Sequence, residues 1–397
     1  MEEERRYAEM TPSDKSRGRL VVVLLAALGM VLAACGGDVS TDTTSGSGTT
    51  PPSEATTSTA GETTTTGAPE LRDVQLQLPN SSPSASVVSY YMAQEHGFYA
   101  ENGLAVELLY GPGSGSAVQQ LVSGNVQVAS LSPTSIYLAV NEGAELVGIY
   151  NHFPENRFGV AVPVDSPIQS MEDLEGLAIG ISDAGGGEVP TVNAALALAG
   201  LEAGVDVEII PVGEGASAVL AVENGDVAAL GVSKPDVLVL QLAGLETRMI
   251  TQDVLAKFPG DSLAVTPEVL DSERDMLIRL VRGTIQGQIW SQANPDGTHA
   301  ILKEKYAPEQ LADDEFGIPF VEASLADTAT PEGLGPDEHG KFIFENWQNE
   351  ADLNLELGVI TNAIDANDIL TNEIVEEAWA LGIDIDAIRA QAESYSD

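Results

Sequence analysis

The residues best suited to chemistry in this chain are hydroxyls, amides and glycines gathered in loops, not a nucleophile beside its base. Asn80-Ser81-Ser82 follows one alternating apolar segment, Gly113-Ser114-Gly115-Ser116 follows a second, and Ser182-Asp183-Ala184-Gly185-Gly186-Gly187-Glu188-Val189-Pro190-Thr191 follows a third. Each precedes a helix-like segment. Each therefore sets unpaired backbone N–H groups and the positive end of a helix dipole beside polar side chains. That chemistry holds an electron-rich ligand group; it does not break a bond. The serines serve equally as helix caps, and both roles are open to Ser132 and Thr134. In the third loop, Gly186 and Gly187 allow backbone to approach a ligand closely. Asp183 and Glu188 either stabilise the helix amino terminus or face the ligand, where they favour N–H donors or positive charge over a bare anion. Asn151-His152-Phe153 supplies a hydrogen-bonding and stacking set, with Tyr90, Tyr91 and Tyr137 as further aromatic faces, Tyr91 reading better as core. Lys234, in Ser233-Lys234-Pro235, is a cation for an anionic ligand group or an exposed lysine.

Catalytic arrangements are missing from the pattern. Cys35 is the single cysteine, which excludes a disulfide within the chain, a cysteine-based metal site and a catalytic thiol in the folded body. His96, His152, His299 and His339 are scattered without metal-ligand spacing, and neither a GxSxG elbow nor a GxxxxGK[ST] phosphate loop occurs. We therefore expect no catalytic residue, no metal and no cofactor. A formal charge of −44, from 17 basic and 61 acidic residues, argues against nucleic acid as a partner. With 43% hydrophobic residues the body folds, and the acidity reads as a solvated surface.

The elements that position these loops begin after an export segment. Lys15, Arg17 and Arg19 precede an apolar run from Leu20 that is short for a bilayer span, and the run ends in Leu32-Ala33-Ala34-Cys35, a pattern that fits a bacterial lipobox. Residues 1–34 read as a lipoprotein signal peptide, and Cys35 as the lipidated residue that anchors the protein to the cell membrane from outside the cytoplasm. The Thr/Ser/Gly/Pro tract up to about residue 70 cannot bury enough surface to fold and reads as a tether with a reach of about 30 Å. From Val74 strand-like and helix-like segments alternate, the pattern of an α/β protein with largely parallel sheets. Gly97 is placed to end the first helix, and Ser132-Pro133 to start another. Beyond Asp261 the pattern turns helical, with Met276, Leu277, Leu280, Val281, Ile285, Ile289 and Trp290 at helical spacing.

Three segments carry a family resemblance. Tyr91-Met92-Ala93-Gln94-Glu95-His96-Gly97-Phe98-Tyr99-Ala100-Glu101-Asn102-Gly103-Leu104-Ala105-Val106-Glu107 contains a helix end followed by a G-L-x-V-E strand. Ala117-Val118-Gln119-Gln120-Leu121-Val122-Ser123-Gly124 follows it. Asp165-Ser166-Pro167-Ile168, with Met171-Glu172-Asp173-Leu174-Glu175-Gly176 and Ile179-Gly180, opens the second half. In this order they resemble the extracytoplasmic solute-binding proteins of ABC importers, the family with sulfonate-, taurine-, nitrate- and thiamine-pyrimidine-precursor-binding members. The resemblance implies a two-lobed α/β fold of the periplasmic-binding-protein type II. Lobe I would comprise residues 71–163 and 262–397, with the C-terminal helices on it, and lobe II residues 164–261. The chain would cross between them near 160–165 and 260–265 and hold a solute in the cleft. It further implies an ABC permease and its ATPase subunits as partners of a monomeric receptor. Asp183 and Glu188 depart from the uncharged loop of sulfonate-type relatives, which turns the expectation towards a nitrogen-bearing organic solute, a pyrimidine precursor or an amine-containing, taurine-like sulfonate. Two alternatives stay open: a ligand sensor that touches a membrane receptor, and a pyrimidine-synthase-like enzyme. The fungal enzymes use iron and a cysteine-rich motif that this body lacks.

Overall fold

Short apolar stretches with a side-chain period of two build the framework of the computed structural model, which describes residues 71–184, 186–331 and 333–395. The export segment, Cys35 and the tether lie outside the described residues. β1 (Arg72–Leu78) sends Val74, Leu76 and Leu78 to one face of its sheet. The same division recurs in β3 (Val128–Leu131) and β10 (Ser262–Val265): Val128, Leu263 and Val265 enter that core, whereas Ala129, Leu131 and Ala264 enter the one on the opposite face. With β2 (Leu104–Tyr110) and β4 (Val147–Asn151) these strands make a five-stranded sheet in the order β2-β1-β3-β10-β4. β1 runs parallel to β2 and β3, and β10 is antiparallel to both of its neighbours.

The second sheet repeats the plan. Its order is β7-β6-β8-β5-β9, from β5 (Phe158–Pro163), β6 (Ala178–Ile181), β7 (Glu208–Pro211), β8 (Ala229–Ser233) and β9 (Thr247–Met249). β6 is parallel to β7 and β8, and β5 is antiparallel to β8 and β9. Val160, Val162 and Ile179 pack into the core on one side, and Ala161, Leu230 and Val232 into the core on the other. Two helix-covered sheets of this kind agree with the expected α/β class.

The chain crosses between the sheets earlier than expected. It leaves the first sheet at Asn151 and has entered the second by Phe158, so β5 lies wholly in the second sheet instead of straddling a boundary at 160–165. The return lies between Met249 and Ser262, and the residues after Asp261 first form a strand, β10, before turning helical. β5 and β10 are covered on both faces, so each buries four residues in a row and shows no alternation that would mark it as a strand.

Helices close both faces. The helix Val88–Glu95 buries Tyr91 and Met92 and is followed by Gly97 at φ 75°, the left-handed conformation that stops it. Tyr91 is core, stacked on Tyr306 at 4.1 Å between ring centroids. The long helix Arg274–Ala293 buries Met276, Leu277, Leu280, Val281, Ile285 and Trp290. It meets Val88–Glu95 at Gly287, where any Cβ would collide with the Ser89 carbonyl and the Ala93 backbone. The loops after β1, β2 and β3 and those after β6, β7 and β8 end at one cleft, as expected at the carboxyl ends of parallel strands.

Candidate functional site

The cleft encloses about 1570 Å³. Ordinary small-molecule pockets occupy roughly 300–1,000 Å³, so this one is open. From the first sheet it is lined by Asn80, Ser81, Ser82, Ser114, Gly115, Ser132 and Thr134, and from the second by Asp183, Gly186, Gly187 and Glu188. Most of the loop residues singled out by sequence therefore come together. Ser132 caps the helix Pro133–Asn141: its Oγ accepts from the Ser135 N–H at 3.4 Å and donates to Ser135 Oγ at 2.9 Å. Its own N–H donates to Ser114 Oγ at 3.1 Å, which ties the β2 and β3 loops together. Asn80 Oδ1 is buried without a hydrogen-bond partner among the described residues.

Four expected site residues lie elsewhere. The helix Ser114–Val122 begins two residues earlier than the sequence indicates, so Ser116 falls within its first turn and away from the cleft lining. Asn151 ends β4, is 2% exposed, and its N–H donates to the Gly340 carbonyl at 2.8 Å. His152 is 1% exposed and sandwiched by core aromatics, stacked on Tyr90 at 4.8 Å and edge-on to Phe153 at 4.4 Å. Burial, then the charges of His339 and Arg157, lowers its pKa to about 3, so it is neutral in the fold. Lys234 opens the helix Lys234–Leu242 with its side chain half in solvent, its Nζ 3.8 Å from Asp327 Oδ1. Apolar packing claimed the first crossover more completely than its hydrogen-bonding residues indicated, and Tyr90 and Tyr137 are likewise core. The Tyr137 hydroxyl donates to the Trp347 carbonyl at 2.8 Å.

The glycine loop uses its freedom on the protein itself. Glu188 is the residue before the helix Val189–Leu198 but does not cap it; its Oε1 turns back to accept from the Ser182 N–H and Ser182 Oγ, both at 2.7 Å. A Cβ on Gly186 would stand 2.5 Å from both Glu188 carboxylate oxygens and 2.6 Å from Ser182 Oγ. One on Gly187 would stand 2.7 Å from Phe158 Cζ. A side chain at Gly186 would displace the Glu188 carboxylate and the Ser182 hydroxyl, and one at Gly187 the Phe158 ring.

The electrostatics of the cleft are one-sided. Asp183, Glu188, Glu202, Asp206, Glu214, Asp236, Asp261 and Glu350 line it, and Arg157 is the one cation in its described lining. Asp236 is held by Ser233, whose N–H and Oγ donate to Oδ2 at 2.9 and 2.5 Å. Glu214 is raised above the usual carboxyl range by partial desolvation in the cleft, then by the charges of Asp236, Glu188 and Asp183. Burial raises Asp261 to about 6, against the opposing charge of Arg157, and Glu350 to about 8. Arg157, Phe158, Glu214, Asp236, Asp261 and Glu350 were all missed by the sequence reading. Arg157 had one usable signal, its position close to Asn151-His152-Phe153 in a chain with 17 basic residues in all. Glu350 had none, as one of many acidic residues on a polar C-terminal helix.

Comparison with known proteins follows the same lines. The family model described as NMT1/THI5 like matches residues 84–298. A riboflavin-binding protein, RibY, of Chloroflexus aurantiacus is 24% identical over 318 residues, which cover 77% of this chain and 87% of that protein. A solved structure from Bordetella bronchiseptica RB50 superposes with a TM-score of 0.60 at 22% identity, covering 79% of this chain and 98% of that one. The periplasmic aliphatic sulphonate binding protein SsuA of Escherichia coli superposes with a TM-score of 0.56 at 16% identity, covering 77% and 92%. At such identities the two structural likenesses concern the fold.

Proposed function

The chain belongs to the NMT1/THI5-like family, and from that premise we propose that it is the solute receptor of an ABC-type importer, held outside the cytoplasm by a lipid on Cys35. The observation that carries this reading is the convergence of loops from both sheets on one open cleft, at the carboxyl ends of their parallel strands. Closure of the two lobes, 71–163 with 262–397 against 164–261 but with β5 counted with the second, would enclose the solute and present the closed form to a permease. The acid-rich lining supports a nitrogen-bearing organic solute over nitrate or bicarbonate, because carboxylates accept N–H donors and repel anions. Pyrimidine precursors and amine-containing sulfonates fit that class, and so does riboflavin, the ligand named for the relative from Chloroflexus aurantiacus.

The test is thermal unfolding of the purified protein with riboflavin, uracil, pyrimidine precursors, taurine, other sulfonates and nitrate. A solute at a hundred times its Kd stabilises the native state by about 2.7 kcal/mol. A saturable rise in Tm with one class supports the reading. No rise with any of them sinks it.

A further inference from the structure

Arg157 is 8% exposed, yet its guanidinium hydrogen-bonds to no described residue. It lies in the first crossover, with Cζ 4.7 Å from the Phe153 ring centroid and 5.7 Å from that of Phe158. Nε stands 3.3 Å from Asp327 Oδ2, close enough to balance charge but not aligned as a hydrogen bond. The backbone is fixed as well, for the Lys234 N–H donates to the Arg157 carbonyl at 2.9 Å. A guanidinium carries five N–H donors; Nε, the one buried without a hydrogen bond, faces Asp327, and the four on the terminal nitrogens make no hydrogen bond to a described residue. Asp327 faces Nε and balances the charge of Arg157, and leaves the terminal N–H groups of this cleft-lining residue without a described partner.

The surroundings indicate what those donors await. Asp327 already opposes the positive charge, and the cleft is otherwise acidic, so a bare anion would meet repulsion with little net attraction. A neutral carbonyl oxygen keeps the full benefit of a charge-assisted hydrogen bond. The Phe158 ring, half-buried and in the lining, offers a flat apolar surface beside it. Glu188 and Asp236 supply carboxylates that accept from N–H groups.

We propose that Arg157 anchors a carbonyl oxygen of an uncharged, flat heterocycle, a lactam or imide whose neighbouring N–H groups meet the carboxylates of the cleft. This rests on the solute-receptor reading and names the class of solute it takes.

Titration of the purified full-length protein with riboflavin, uracil, taurine and nitrate tests it. Riboflavin or uracil is expected to bind, taurine and nitrate not. R157Q should weaken the bound imide at least tenfold, and R157K nearly as much, because an ammonium balances Asp327 but lacks the planar fork. D327N, which keeps the guanidinium, should bind no more weakly than wild type. Unchanged affinity in R157Q or R157K overturns the anchor, as does equal loss in D327N, which would make the pair structural. If R157Q does not fold, R157K and D327N decide. Binding of taurine, nitrate or another panel solute without either imide overturns the class and leaves the receptor reading standing. Silence across the whole panel removes both.

Discussion

Replacing Glu350 by Gln should change how the stability of the protein depends on pH. Glu350 sits in the helix Phe344–Glu356 at 9% exposure. Thr134 Oγ1 donates to its Oε1 over a long 3.4 Å, and Oε2 has no hydrogen-bond partner among the described residues. Burial pushes the carboxyl from 4.5 to about 8, and the Thr134 bond opposes this only in part. Between those values the native state holds a proton that the unfolded chain has released. Stability from this group is therefore intact below about pH 4.5, falls as pH rises, and is gone above about pH 8. At about 1.4 kcal/mol per pH unit, the two units from pH 5 to pH 7 amount to about 3 kcal/mol, a large part of a typical 5–15 kcal/mol. Gln stays neutral throughout. Asp261 and Glu214, also raised, shift stability in the same direction in both proteins and cancel in the difference. Urea unfolding of wild type and E350Q at pH 5, 6, 7 and 8 gives that difference directly. It should move by about 3 kcal/mol in favour of E350Q between pH 5 and pH 7, on top of a constant offset from the amide. A difference that stays flat would mean Glu350 is ionised in the native cleft, and the desolvation argument would be wrong.

Other substitutions test the packing behind the site. Gly186→Ala puts a methyl against the Glu188 carboxylate and Ser182, and should cost about 1–3 kcal/mol in urea midpoint; a neutral result would show that the loop is not held by that contact. Trp347→Ala removes a fully buried indole beside Tyr137 and Phe342 and should lower stability by about 3–5 kcal/mol. Less than 1 kcal/mol there would mean the C-terminal helix does not complete the first lobe's core. Ser132→Ala deletes a helix cap at the cleft wall, with an expected loss of about 1 kcal/mol and no change in fold by circular dichroism.

The strands with alternating neighbours were legible in the sequence. β1, β2 and β6 are the three apolar segments that the polar loops follow, because side-chain periodicity and caps are local signals. β4, β5, β9 and β10 were not legible: three of them are covered on both faces, and β9 has three residues. The hydroxyl and glycine loops were found for the same local reason. His152, Asn151, Lys234 and Ser116 were not separable from true cleft residues, because orientation relative to a cleft is not a property of residue type.

The sequence alone determined the α/β alternation and the loops at the ends of the first parallel strands. Both depend on residues within one or two turns of each other. The tertiary structure alone decided which sheet β5 and β10 join, and which charges end up inside the cleft. Arg157 meets Asp327, and Thr134 meets Glu350 across 216 residues of chain. Burial and partner choice at that range arise when distant segments exclude water together, and no local pattern encodes them.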